Sequence, residues 1–215
     1  MKRFAVDIVL LPPDPVMDFA IVWNQMLRKS GPPTIVLDKI QRLPHISLVM
    51  GCLNADKLDV ARDILQSIAS QHPTLELRVP QLKAEETSLG TVVSLDIEWS
   101  RQLADLHKSL VDSFKPLLTQ DANEEDVNDP SPIANSSLAW INNYIPQHCY
   151  DHFWPHITLG FGEPSEILRP FSFKASRLAI CHLGNYCTCT SILWETTLGK
   201  RGAVENKPDG DSAYG

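Results

Sequence analysis

Apolar residues along this chain come either in short unbroken or alternating runs or at helical spacing, and the two patterns take turns. Residues 4–11 form an apolar run interrupted only by Asp7, which predicts a strand. Residues 15–30 open with proline and carry a helical repeat, and 43–51 return to a strand pattern. Residues 56–70 place Leu58, Ala61, Ile64 or Leu65, and Ile68 on one stripe of an amphipathic helix, and 75–79 alternate as a strand. The order then repeats: strand 91–97, helix 101–114, strand 153–161, with two late strands over about 171–181 and 188–196. A strand, helix, strand unit stated twice predicts an α+β fold that is bilobed and pseudo-two-fold, with antiparallel sheets lining a central cleft and helices outside.

The second unit is longer than the first by about the length of a polar insertion at residues 119–142. Its DANEEDVNDPSP stretch is acidic without a basic residue and predicts a solvated loop. Because it leads into Trp140, Tyr144 and the strand at 153–161, it is placed to act as a lid. A calcium-loop reading fails, since Asp126 stands where that motif needs glycine and Pro132 where it needs glutamate. Residues 1–203 are expected to form the domain, and 204–215, rich in glycine and charge, a disordered tail.

Composition narrows the class. The 215 residues, 43% hydrophobic and 21% charged, suit one globular domain or two small lobes sharing a core. Nineteen basic against 26 acidic residues, a net charge of -7, argue against an extended footprint on long nucleic acid but leave a nucleotide or short oligonucleotide open. The N-terminal apolar run stops within eight residues at prolines and Asp14, without a small-residue cleavage site. No apolar stretch approaches the roughly 20 residues of a membrane span, so no membrane partner is expected. Five scattered cysteines, an odd number, read as reduced thiols of a cytoplasmic protein. Cys187-Thr188-Cys189 lacks the two-residue spacer of common zinc knuckles.

The candidate chemistry lies in two near-identical segments, Leu43-Pro44-His45-Ile46-Ser47-Leu48 and Trp154-Pro155-His156-Ile157-Thr158-Leu159. Along a strand successive side chains alternate faces, so His45 and Ser47 share one face while Ile46 and Leu48 take the other. His156 and Thr158 pair likewise. One such histidine alone would read as a partly buried strand residue; two copies point to a site in which two imidazoles and two hydroxyls converge. That set suits phosphoryl transfer: one neutral imidazole takes a proton from the attacking oxygen, a protonated one gives a proton to the leaving oxygen. The hydroxyls of Ser47 and Thr158 hydrogen-bond the non-bridging phosphate oxygens. This chemistry needs neither metal nor cofactor.

At these residues the chain resembles the two-histidine phosphoesterase superfamily, whose members include bacterial RNA 2',3'-cyclic phosphodiesterases, also called 2'-5' RNA ligases. Its hallmark, a histidine, hydrophobic, serine or threonine, hydrophobic tetrapeptide occurring twice, stands here as His45-Ile46-Ser47-Leu48 and His156-Ile157-Thr158-Leu159. The resemblance implies a bilobed α+β fold, His45 and His156 as the acid/base pair, and Ser47 and Thr158 as phosphate ligands. It also implies hydrolysis of 2',3'-cyclic phosphates on nucleotides or RNA ends. Two alternatives stand beside it: a 2'-5' ligase or 2'-5' phosphodiesterase of RNA ends, and a catalytically silent nucleotide-binding module. Members often carry basic side chains beside the cleft, yet Gly160 and Gly162 follow the second motif here and no such residue can be placed.

Three aromatics are candidate substrate contacts. Trp154, two residues before His156, either stacks on a base or packs at the rim against the lid. Phe161 alternates toward the core unless the neighbouring glycines turn the chain. Tyr186 sits at a Gly184-Asn185 turn, where turn chemistry by itself accounts for it and where some related enzymes have a ligand contact. His148, His152 and His156 would align as metal ligands only on a continuous helix, which Pro155 opposes. His107 and His72 read as a helix residue and a turn residue.

Overall fold

The computed structural model describes residues 2–32, 35–87, 90–164 and 166–199. The expected tail at 204–215 lies outside the described residues. The order of elements is β1 (Arg3–Leu11), α1 (Asp14–Leu27), β2 (Ile46–Asn54), α2 (Leu58–Gln71), β3 (Leu75–Val79), β4 (Leu82–Thr87) and β5 (Gly90–Asp96). There follow α3 (Arg101–Phe114), β6 (Leu118–Thr119), α4 (Asn135–His148), β7 (His156–Phe161), β8 (Phe171–Ala175), β9 (Arg177–Leu183) and β10 (Cys189–Thr197). The described strands form three sheets, in the orders β10-β9-β1-β2-β6, β4-β5-β7 and β3-β8, and every pairing is antiparallel. This is the α+β architecture that the pattern predicts.

The near-continuous apolar run of β1 follows from its place between β9 and β2. Val6, Ile8 and Leu10 enter the main core, whereas Val9 and Leu11 face the other way onto Met17, Leu43, Ala179, Cys181 and Cys189. A central strand covered on both faces cannot alternate. Helix α1 starts after the extended Pro13, with Pro15 in its first turn and Asp14 at its positive end, both favoured there. Helix α3 is capped by the Ser100 hydroxyl, which accepts from the Leu103 N–H, and buries Leu103, Leu106, Leu110, Val111 and Phe114. Removing a cap of this kind costs about 1 kcal/mol.

The two passes of the chain are laced together. Helix α1 of the first packs on β7 of the second, and α3 of the second packs on β2 of the first. One buried side chain fixes the first of these contacts: Asn24 on α1 donates to the carbonyls of Leu159 (2.7 Å) and Ile35 (3.0 Å) and accepts from the Leu37 N–H (3.0 Å). Gly160 makes this possible. Its φ of +129° is open to glycine, and a Cβ there would stand 2.7 Å from the Asn24 amide nitrogen.

The insertion differs from the solvated loop expected of it. It contributes β6, a 3-10 turn over Glu124–Asp126 and the four-turn helix α4, whose Ile141, Tyr144 and Ile145 are buried against β2 and neighbouring elements. Two of its acidic residues are tied down. Arg3 holds the largely buried Asp126 carboxylate through two nitrogens (2.6 and 3.2 Å) and reaches Asp121 as well (2.9 Å). Asn185 accepts from the Ala134 N–H and the Ser137 hydroxyl and donates to the Pro132 carbonyl. The strand expected over 171–181 divides at Ser176 into β8 and β9, which join different sheets. Strand β4 is absent from the apolar pattern because it is an exposed edge strand, Leu82-Lys83-Ala84-Glu85-Glu86-Thr87, with only its first two residues half-buried.

Candidate active site

Both motifs deliver their histidine by the same local geometry. The His45 Nδ1–H donates to the carbonyl of Leu43 at 2.7 Å, and the His156 Nδ1–H donates to the carbonyl of Trp154 at 2.9 Å. In each case the acceptor lies two residues back, across the proline. A carbonyl can only accept, so each Nδ1 carries the proton and each neutral ring presents its Nε2 lone pair. His45 lies immediately before β2 and His156 opens β7, so the first strand begins one residue after its histidine.

All seven residues singled out in the sequence, His45, Ser47, Trp154, His156, Thr158, Phe161 and Tyr186, line one cavity of about 350 Å³. The two histidines are near enough that charge on His156 disfavours charge on His45. Burial, first of all, depresses both: His45 falls to about 4, the Leu43 carbonyl pulling weakly upward, and His156 also lies below the ordinary imidazole value. Around His156 the Trp154 carbonyl, Glu85 and Asp96 oppose the burial, and Lys83 reinforces it. At neutral pH the free protein therefore holds two neutral imidazoles.

Trp154 lines the cavity and has a further partner within the site. It stacks on His156 itself, with centroids 4.1 Å apart and 21° between the planes, and Lys83 Nζ lies 3.6 Å from the centroid of the same ring. Two groups this near one centroid must occupy opposite faces. Its Nε1–H donates to Asp96 at 2.8 Å, and Lys83 pairs with Glu85 at 2.8 Å. A lysine, tryptophan, histidine layer thus fixes the second imidazole. Lys83 comes from strand β4, which the apolar pattern did not reveal.

Phe161 reaches the cavity because the chain turns at the glycines. Gly160 and Gly162 have φ of +129° and +145°, and the β5–β7 register shifts between Val93 and Ser94, which breaks strict alternation after Thr158. Phe161 packs edge-on to Tyr186, with centroids 6.3 Å apart. Tyr186 and Cys187 both have left-handed backbones, with φ of +56° and +54°, a conformation costing about 1–2 kcal/mol per non-glycine residue. The Tyr186 N–H is held by Ser137 and Asn185, so α4 supports the strained turn. The turn holds Cys187 out of β10, so it does not alternate in strand with Cys189.

Sequence reasoning missed Ser94, opposite Thr158 in the register and lining the same cavity, and Asp7, whose Oδ2 lies 3.7 Å from His45 Nε2. It also left Trp140 and Tyr144 unassigned; their spacing of four places both on the cavity side of α4. His148 ends α4, His152 lies in a 3-10 turn and His156 opens β7, so the three share no helix. Among the described residues no three His, Cys, Asp or Glu side chains gather as a ligand set, and no described helix is long and apolar enough to cross a membrane.

The architecture has known counterparts. TT0787 of Thermus thermophilus superposes with a TM-score of 0.56 at 16% identity, over 91% of this chain and 98% of that one. LigT of E. coli complexed with NADP+ gives 0.52 at 16% identity, over 93% of this chain and all of its own, and LigT complexed with 3'-AMP gives 0.50 at the same identity and coverage. At such identity the likeness establishes the fold. Curated proteins offer no match. The model of the 2'-5' RNA ligase superfamily matches residues 27–179, more than half of the sequence and inclusive of both histidine motifs, and the chain belongs to that superfamily.

Proposed function

We propose that this protein is a metal-independent phosphoesterase that hydrolyses 2',3'-cyclic phosphates of nucleotides or short RNA ends. The observation that carries the reading is the pair of imidazoles, each locked through Nδ1 by a backbone carbonyl, both lining one cavity together with Ser47 and Thr158. In the reaction one Nε2 takes a proton from water as its oxygen bonds phosphorus. The bond from phosphorus to one ribose oxygen breaks, and that oxygen takes a proton from the other imidazole, leaving a nucleoside monophosphate. Ser47 and Thr158 hold the non-bridging oxygens. The anionic phosphate supplies the field that loads one imidazole with its proton, which burial withholds in the free protein.

The cavity walls suit a nucleoside. Phe161 and Tyr186 offer aromatic surface, while Trp154, its faces taken by His156 and Lys83, offers only its edge. Crystal structures of LigT with 3'-AMP, ATP and NADP+ support small nucleotides as ligands of this fold. The cavity's size and the net charge of -7 favour them over long RNA.

The test incubates the purified protein with the four 2',3'-cyclic nucleotides and identifies products by chromatography, beside His45→Ala and His156→Ala. Ring opening in the wild type and its loss in both variants is the expected result. Joining or cleavage of 2'-5' linked RNA without ring opening would transfer the site to the ligase reading. Nucleotide binding without turnover of any substrate would make the protein a binding module.

A further inference from the structure

Beside the first motif lies a carboxyl group that the proposed chemistry does not use. Asp7, in the middle of β1, is wholly buried, and neither oxygen meets a partner at hydrogen-bond geometry, although the Ser47 hydroxyl and the Leu48 N–H stand near enough to act on it. A buried carboxyl left in this state costs stability, and natural folds seldom retain one without a purpose. Its Oδ2 stands 3.7 Å from His45 Nε2, the nitrogen that must handle the proton. This is beyond a direct hydrogen bond, and a shift of under about 1 Å would make one.

The other groups around Asp7 are poor proton partners. They are the Ser47 hydroxyl, Tyr144 on α4, Cys149 after it, Cys187 in the strained turn, Cys189 on β10 and Cys181 opposite Asp7 on β9. Burial pushes Tyr144, Cys149, Cys187 and Cys189 upward, so they stay neutral. His45, with Nε2 at 3.7 Å, is the imidazole beside Asp7 and so the base placed to take its proton. Burial likewise drives Asp7 well above the ordinary carboxylate value, against the weaker pull of Ser47 and the Leu48 N–H.

We infer that Asp7 is a positioning residue that shares one proton with His45 and keeps that imidazole loaded as the proton donor of the pair. In this scheme the proton starts on the carboxyl, the side that burial favours. When an anionic phosphate enters, the Asp7 O–H bond breaks and the His45 Nε2–H bond forms, leaving carboxylate beside imidazolium. His45 then gives this proton to the leaving oxygen, and Asp7 regains one from solvent after His156 has released the proton taken from water. The inference rests on the proposed chemistry for its role in turnover, but the proton sharing itself can be measured without turnover.

The variant is Asp7→Asn, nearly isosteric and unable to lend a proton. His45 then lacks the proton that Asp7 lends and loses its own at lower pH, so the alkaline limb of the pH–rate profile should move to lower pH by about one unit or more. The kcat at pH 7 should fall about tenfold or more, recover in part near pH 5, and leave KM within about twofold. The melting temperature at pH 7 should hold or rise. An unchanged pH profile, or a lower melting temperature with no shift of the profile, would overturn the role. Independently of activity, the His45 ring nitrogens and the Asp7 carboxyl carbon are followed by NMR against pH in the wild type and the variant. A linked titration that disappears in Asp7→Asn supports the pair; a His45 titration identical in both proteins overturns it. Should the variant not fold, the wild type decides alone, since independent titrations of the two groups overturn the sharing. Absence of turnover on every cyclic phosphate removes the proposed function and leaves these titrations to judge the pair.

Discussion

At the scale of single residues, the site depends on what surrounds each imidazole more than on the imidazoles themselves. The backbone carbonyls of Leu43 and Trp154 choose the tautomer, and burial keeps both rings neutral. Replacing His45 or His156 by alanine should cut the rate about 100-fold or more with unchanged circular dichroism. Ser47→Ala and Thr158→Ala should cost less and divide between kcat and KM, as steady-state kinetics will show. The buried histidines also tie stability to pH. His45 and His107 are depressed by burial to about 4, so the fold keeps them neutral while the unfolded chain protonates them near 6.5. The stability they lend is present above about pH 6.5 and is lost as pH falls toward 4. A drop of about 2 kcal/mol or more between pH 7 and 4.5 in urea unfolding is expected. Asp7, displaced in the opposite direction, weakens the fold as pH rises above the ordinary carboxylate range.

At the scale of elements, the histidine motifs themselves were legible because their residue types and period-two spacing are local properties. Arg101–Phe114 was legible to the residue, since its serine cap and apolar stripe are written in one window. Strand β4 was not, because an exposed edge strand is held by its ladder to β5 and needs no apolar face. Helix α4 was hidden by the acidic stretch before it and by weak amphipathicity; it is held by β2 and by the Asn185 hydrogen bonds. Phe161, which alternation sends to the core, is buried there and also reaches the cavity, where the two glycines interrupt the strand. The Asn24 crosslink joins α1 to β7, so Asn24→Ala should strip partners from three buried backbone groups and cost about 3 kcal/mol. Denaturant titration gives the stability, and a parallel fall in activity would follow from loosening the strand that carries His156.

At the scale of the whole molecule, the lacing of each pass onto the other's histidine strand makes the site a property of the assembled fold. Activity should survive EDTA, because proton transfer between two imidazoles and a phosphate asks nothing of a metal; loss of turnover on chelation, reversed by a divalent ion, would contradict the scheme. The sequence by itself determined the strand and helix periodicity, the two motifs, the pairing of imidazole with hydroxyl on one face, and the family they resemble. These follow from the order of residues along a chain whose strands repeat every two positions. Only the tertiary structure decided that Lys83, Trp154 and His156 form a layer, that α4 walls the cavity, and that Asp7 lies buried beside His45. Those contacts join residues far apart in sequence, and burial, which sets their proton affinities, belongs to no residue until the chain has closed around it.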